Sequence, residues 1–239
     1  MKKVAKDPYI WEVPNSLTDE FCDDLIKKFE EDPGHDMYKG VTGEGYNPNI
    51  KETLDLAISA NSIHWKEEDS FICKKLTKSS NEYYAHIKKT IDNCVIFNDV
   101  INLTDDGYHI QKYVPNTGFY TWHNDYHFND ELGSRILTFI WYLNTVDNGG
   151  ETEFTNGVKI KAEKGKLLMF PSTWTYSHRG CMPYSNDKYI LTGWLYNGWY
   201  KNMDSQEYKN ACEEHRQQKL SIKEQNESSI SNLVNAANS

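Results

Sequence analysis

At Tyr108 the sequence changes its period, and that change limits the possible folds more than any other feature. Upstream, the apolar residues recur at helical spacing; downstream, they alternate or run on in short blocks. Tyr108–Val114, Arg135–Leu143, Lys166–Phe170 and Lys188–Tyr196 all read as strands. Asn116-Thr117-Gly118, Asp147-Asn148-Gly149-Gly150, Asn156-Gly157 and Ser185-Asn186-Asp187 punctuate them as turns. Many short strands with no intervening helix predict an antiparallel sandwich or barrel.

Before that point the pattern is mixed. Tyr9–Val13 reads as a strand stopped by Pro14, and Ser16–Glu31 as a helix. Leu17, Phe21, Leu25 and Phe29 make its apolar stripe, Ser16 or Thr18 its N-cap, and Asp32-Pro33-Gly34 its stop. Residues 34–50, rich in Gly and Asn, read as a mobile loop. Strand-like Thr53–Ile58 follows, and then a helix from about Glu67 to Asn93 with Ile72, Leu76, Tyr83, Ile87 and Ile91 on one face. The expected class is α+β with a mainly β core. Residues 1–212 form a single catalytic domain, with 1–100 as a helical scaffold layer and 105–200 as the β core; 213–239 is a polar tail. His35, His64 and His86 fall in the scaffold layer and receive no metal role.

Composition narrows the function classes. A chain of 239 residues can bury one sizeable core. Its net charge of −9 argues against non-specific binding to nucleic acid or to an anionic membrane. Cys22, Cys73, Cys94, Cys181 and Cys212 are scattered and odd in number, so neither a disulfide framework nor a zinc site is expected. The first residues carry charge with no apolar run behind them, and no stretch is long and apolar enough for a transmembrane helix. A soluble, cytoplasmic protein is the expectation.

The chemistry concentrates in Tyr120-Thr121-Trp122-His123-Asn124-Asp125. In an extended segment His123 and Asp125 leave the same face, their Cα atoms roughly 6.5 Å apart. An imidazole and a carboxylate suit a borderline divalent metal such as iron, and His178 is the best candidate for a third ligand. Two histidines and one carboxylate leave coordination positions open, as non-haem Fe(II) oxygenases require.

Further motifs stand in order around this segment: Gln111-Lys112-Tyr113, Arg135 to Asn144, Gly149-Gly150-Glu151-Thr152-Glu153-Phe154, Lys164 to Phe170, and His178-Arg179-Gly180 with Lys188 beyond. From Gln111 to about Tyr196 the chain resembles the Fe(II)/2-oxoglutarate-dependent dioxygenases, in particular prolyl 4-hydroxylase-like members. The resemblance implies a double-stranded β-helix (jelly roll) with Fe(II) held by His123, Asp125 and His178. It implies that Lys188 binds the distal carboxylate of 2-oxoglutarate, and that Tyr113, Tyr142 and Thr192 donate hydrogen bonds to that cosubstrate. It further implies O₂ as co-reactant, ascorbate as a supplementary reductant, and a proline-containing peptide or protein as substrate. A free amino acid or other small metabolite is the alternative substrate, and an inactive jelly-roll binding module the third reading. Arg135, Trp194 and His127 are the substrate-side candidates, with Arg179 weaker and His109 structural.

Two arguments from the residues themselves accompany the resemblance. One aspartate leaves Fe(II) with a single net positive charge; Lys188 adds a second, and the 2-oxoglutarate dianion balances both, which matters where charge is poorly solvated. Strand parity places Lys188, Ile190, Thr192 and Trp194 on one face, and Thr138, Ile140 and Tyr142 on another, so each set points inward together. Ile140 and Leu168 are the expected apolar wall.

Overall fold

Two antiparallel sheets face each other, and the chain passes repeatedly from one to the other after Tyr108. The computed structural model describes residues 7–32, 36–59, 61–90 and 103–197. The first part contains β1 (Trp11–Val13), α1 (Asp19–Glu30), β2 (Tyr38–Lys39), β3 (Lys51–Glu52), β4 (Leu54–Ile58) and α2 (Lys66–Thr90). Next come β5 (Thr104–Asp105), β6 (Tyr108–Tyr113), β7 (Phe119–His123), β8 (Phe128–Asn129) and β9 (Gly133–Tyr142). The last run is β10 (Thr152–Phe154), β11 (Lys159–Ile160), β12 (Leu167–Pro171), a 3-10 turn at Trp174–Tyr176, β13 (His178–Gly180) and β14 (Lys188–Tyr196).

The large sheet has the order β1-β12-β9-β14-β6-β4-β2, with β5 added to β14 and β8 to β9; the small sheet is β11-β10-β13-β7-β3. Strands β6, β9, β12 and β14 therefore lie in one sheet, and β7, β10 and β13 in the other. That alternation is the winding of a double-stranded β-helix, as expected. The long strands also fall where the alternating pattern predicts, β14 to the residue.

Parity divides each long strand between two cores. Leu137, Phe139 and Trp141 of β9, Leu191 and Leu195 of β14, and Leu167 and Met169 of β12 pack outward against the helices, with Leu25, Phe29, Ile72, Leu76, Tyr83 and Ile87. Ile140 and Tyr142, Ile190, and Leu168 and Phe170 face inward between the sheets. Because both faces of the large sheet are covered, its strands read as nearly continuous apolar runs. Each side chain so buried contributes about 1.5–3 kcal/mol relative to exposure.

Helix α1 begins later than the apolar stripe suggests. Thr18 is the N-cap, accepting from the Phe21 amide at 3.3 Å, and Leu17 precedes the helix but is buried with Cys22, closing a hydrophobic staple over the first turn. Asp19 and Glu20 in the first turn and Lys27 and Lys28 in the last suit the helix dipole. Of the α2 face, Ile91 to Asn93 lie outside the described residues, as does the tail at 213–239.

The amino-terminal region is more than a helical layer. β1 forms one edge of the large sheet on β12, and β2 forms the other on β4. Strand β3 pairs with β7 in the small sheet, and β4 pairs with β6 in the large one. Residues 51–58 thus turn the corner between the sheets at Thr53. Segment 36–50, expected as a loop, carries β2 and a tight Thr42–Gly45 turn with paired backbone amides.

Candidate metal centre and the cleft above it

His123 ends β7 and His178 opens β13, and the two residues are direct neighbours in the small sheet. Asp125 lies just past β7, 9% exposed, and closes a triangle with them. One ligand atom from each residue lies within 4.8 Å of the others. Asp125 Oδ1 is 3.7 Å from His123 Nε2, and Oδ2 is 3.6 Å from His178 Nε2.

The hydrogen bonds behind the rings decide which atoms face inward. His123 Nδ1 is 2.8 Å from the Thr121 carbonyl, and His178 Nδ1 is 3.1 Å from the Tyr176 carbonyl. A carbonyl only accepts, so each Nδ1 carries the proton, and a neutral ring then has its lone pair on Nε2. Burial, then the proximity of His178, pulls the His123 imidazole down to about 4, so it is neutral near pH 7. Burial alone would raise the Asp125 carboxyl, but the two imidazoles and the Thr138 hydroxyl at 2.7 Å outweigh it and hold the group below its ordinary value. The indole N–H of Trp194 favours the carboxylate from nearby yet makes no hydrogen bond itself. The Nε2 atoms of two imidazoles and a carboxylate thus converge on one point. Such an arrangement repels itself unless a cation sits at its centre, and its donor set suits Fe(II).

Tyr120 stacks on His123, ring centroids 3.5 Å apart and planes 13° from parallel, which fixes the imidazole plane. Phe170 and Phe154 close over His178 from the inner core.

A narrow pocket continues inward from this triangle, lined by Thr138, Ile140, Thr152, Lys188, Ile190 and Thr192 among others. Both parity sets point inward as expected. Lys188, at the start of β14, is 1% exposed. Its ammonium sits 4.7 Å from the ring centroid of Tyr113 and 5.8 Å from that of Tyr142, and no carboxylate is within ion-pair distance among the described residues. Burial pushes this lysine down to about 8, against weaker opposition from Cys181 and Glu151.

The three expected hydroxyl donors have their protons engaged elsewhere. Tyr113 donates to Gln111 Oε1 at 3.2 Å, Tyr142 to Thr152 Oγ1 at 2.7 Å, and Thr192 to the Phe139 carbonyl at 2.8 Å. Tyr142 stands behind Thr152, whose side chain lines the pocket. Thr152 was signalled only by the parity of β10, which puts Phe154 inward beside it and Glu153 outward. Ile140 lines the pocket, whereas Leu168 belongs to the inner core. Gly180 faces Tyr113 so closely that a Cβ there would lie 3.2 Å from its ring, tighter than most real contacts.

Outside the triangle a cleft of about 410 Å³ opens, walled by Tyr38, Val41, Tyr120, Tyr126, Arg135 and Trp194 among others. Arg135 lies 3.6 Å over the Trp194 ring and donates through Nε to the Tyr196 hydroxyl at 2.8 Å. His127 is exposed on the rim. His109 also lines this cleft, held 3.2 Å from the Tyr38 hydroxyl, with burial lowering its imidazole. Arg179 turns away onto Glu153, 2.6 Å off, on the outer side of the small sheet. Lys51 and Asp55, neither singled out from sequence, also line the wall, together with Gln111 of the Gln111-Lys112-Tyr113 motif.

Residues 108–196 match the family model of the 2OG-Fe(II) oxygenase superfamily. No curated protein matches the chain. Among solved structures, the viral collagen prolyl hydroxylase of Paramecium Bursaria Chlorella virus-1, in its 2OG complex, is similar at 21% identity and TM-score 0.54, over 78% of this chain and 95% of that one. A Trichoplax adhaerens prolyl hydroxylase in complex with a hypoxia inducible factor peptide fragment aligns at 17% identity and TM-score 0.60, over 83% and 88%. A Pseudomonas putida prolyl-4-hydroxylase aligns at 17% and 0.56, over 79% and 92%. At these identities the likeness concerns the fold.

Proposed function

We propose that this chain, a 2OG-Fe(II) oxygenase by its strand domain at 108–196, hydroxylates peptidyl proline, with His123, Asp125 and His178 as the iron ligands. The reading rests above all on the convergence of ligand atoms from these three residues, each imidazole held through Nδ1 so that Nε2 faces the carboxylate. When bound, Fe(II) with 2-oxoglutarate and O₂ supplies the oxidant: a C–H bond becomes C–OH while 2-oxoglutarate yields succinate and CO₂.

This chain's own residues orient and shelter that chemistry. The backbone carbonyls of Thr121 and Tyr176 hold the imidazole tautomers, and Thr138 holds the carboxylate. Lys188 supplies the charge that meets the distal carboxylate of 2-oxoglutarate, and Thr152 a hydroxyl beside it. Ile140 and Ile190 make the pocket walls apolar, which excludes water and strengthens those interactions.

A peptidyl substrate is favoured over a free amino acid by the outer cleft, which is open, aromatic and walled by residues as far apart as Val41 and Tyr126. Aromatic-lined grooves suit extended, proline-containing chains. Arg135, Trp194 and His127 are the proposed substrate contacts, and segment 36–50 a wall able to close over the peptide. A cytoplasmic location is supported by the free thiols of Cys22, Cys73 and Cys181. No described helix is long and apolar enough to cross a membrane.

Iron-loaded protein is expected to convert 2-oxoglutarate to succinate and to add one oxygen, by mass, to proline-containing peptides but not to free amino acids. Asp125→Ala is expected to reduce turnover to background. Undiminished activity in that variant refutes the ligand assignment, and a product from free amino acids alone refutes the peptide reading.

A further inference from the structure

A series of buried hydrogen bonds runs from the β3–β4 corner into the wall of the inner pocket, and its first members touch neither metal ligand nor Lys188. Lys51 Nζ lies 2.6 Å from Asp55 Oδ2, and Thr53 Oγ1 donates to Asp55 Oδ1 at 2.6 Å. Gln111 Nε2 donates to the same Oδ2 at 3.2 Å, and the Tyr113 hydroxyl donates to Gln111 Oε1 at 3.2 Å. All five residues are buried. Gly40 presses on the corner from segment 36–50: a Cβ there would collide with Thr53 Oγ1 and come within 2.8 Å of Lys51 Cε. The corner therefore has little room to rearrange.

The direction of bonding follows from Asp55. Beside an ammonium it acts as a carboxylate, which only accepts. Gln111 must then turn its amide N–H to Asp55 and its carbonyl to Tyr113. That carbonyl takes the single phenolic proton, so Tyr113 shows the pocket a lone pair. An anionic ligand beside Tyr113 gains a hydrogen bond only by drawing the proton off Gln111 and leaving a buried carbonyl unpaired.

We propose that Asp55, held by Lys51 and Thr53, is a positioning residue that sets the hydrogen-bond direction through Gln111 to Tyr113 and so restrains the affinity of the inner pocket for a dicarboxylate. The proposal rests on the 2-oxoglutarate reading above. It differs from a purely structural role in sign, since loosening a structural support weakens binding, whereas releasing the Tyr113 proton strengthens it.

The test is calorimetric titration of 2-oxoglutarate into protein loaded with Mn(II) in the absence of oxygen, so that no turnover is needed. Lys51 and Gln111 share Asp55 Oδ2, so an Asn at position 55 would keep its carbonyl there as long as the ammonium remains. In Lys51→Met/Asp55→Asn the amide is free to turn its N–H to Gln111, which then donates to the phenol oxygen and frees its proton. That variant is expected to bind 2-oxoglutarate about three- to tenfold more tightly, the scale of one hydrogen bond to a charged acceptor net of its competitors. The gain is expected to disappear when Tyr113→Phe is added. Weaker or unchanged binding in Lys51→Met/Asp55→Asn overturns the proposal. So does a gain that survives loss of the phenol, because the phenolic proton would then not be its source. Should Lys51→Met/Asp55→Asn not fold, Gln111→Met frees the same proton with the ion pair intact, and the same pair of outcomes applies to it and to its Tyr113→Phe double variant. A wild-type protein that binds Mn(II) but not 2-oxoglutarate overturns the cosubstrate reading itself, a result distinct from a failed cycle in protein that binds normally.

Discussion

Lys51 and Lys188 are buried on opposite sheets of this molecule, and they are buried for different reasons. Lys51, on β3 of the small sheet, is 4% exposed and carries its counter-ion with it, Asp55 Oδ2 at 2.6 Å. Lys188, on β14 of the large sheet, is 1% exposed and lies by the faces of Tyr113 and Tyr142, with no carboxylate at ion-pair distance among the described residues. A buried charge with a dedicated partner is a structural element, because its desolvation is offset inside the fold. One with aromatic faces and no carboxylate at ion-pair distance is compensated only in part, so an anionic ligand would gain by pairing with it. On the proposed function, the same residue type is a brace in one sheet and a receptor in the other.

The largest effect expected from this contrast is on stability. Lys51→Met leaves Asp55 buried without its ammonium, and losing one partner of a buried pair costs about 3–5 kcal/mol. Chemical unfolding should show that loss, and Lys51→Met/Asp55→Leu should recover most of it. A single variant as stable as wild type would mean that Lys51 is no brace.

The second effect reverses the pattern. Lys188→Met removes a charge that the free protein never fully compensates, so its unfolding midpoint should equal or exceed that of wild type. Its affinity for 2-oxoglutarate should fall on the order of 100-fold, because the distal carboxylate then lies buried without a cation. If Lys188→Met unfolds like Lys51→Met while binding 2-oxoglutarate normally, the assignment of the two lysines is inverted.

Only one of these lysines was legible in the sequence. Lys188 heads a strand whose alternation is clear, and the observed register Lys188↔Tyr113, Ile190↔Tyr142, Trp194↔Thr138 brings the two parity sets side by side on one face. The triangle of His123, Asp125 and His178 was legible for a similar reason: a two-residue spacing puts His123 and Asp125 on one side, and His178 stands at the start of its own strand. Lys51 and Asp55 were hidden. Strand β3 is only two residues long, too short to show any period, and in the strand-like run Thr53–Ile58 the alternation puts Asp55 on the polar face, opposite Leu54, Leu56 and Ile58. Their burial comes from tertiary pairing with β7 and β6, which sequence spacing does not encode. The hydroxyls of Tyr113, Tyr142 and Thr192 illustrate the same limit. Parity brought Tyr113 and Thr192 to the pocket and turned Tyr142 toward it from behind Thr152, but where each proton points depends on Gln111, Thr152 and the Phe139 carbonyl.

The smallest effect separates the lysines by pH. Burial lowers Lys188 from its ordinary value of 10.5 to about 8. Between those values the unfolded chain binds a proton that the folded protein does not, so this group makes the ligand-free protein more stable as pH rises from 8 toward 10.5. Binding runs the other way. The dicarboxylate needs the ammonium, so its affinity should be level below pH 8 and fall by up to about tenfold per pH unit above it. Other groups titrate in this range, so the quantity to measure is the difference between wild type and Lys188→Met in both unfolding and 2-oxoglutarate titrations. Opposite slopes in the two differences, with Lys51→Met retaining both, would complete the distinction. A wild-type affinity that stays flat from pH 7 to pH 9.5, parallel to that of Lys188→Met, would show that the ammonium does not receive the ligand.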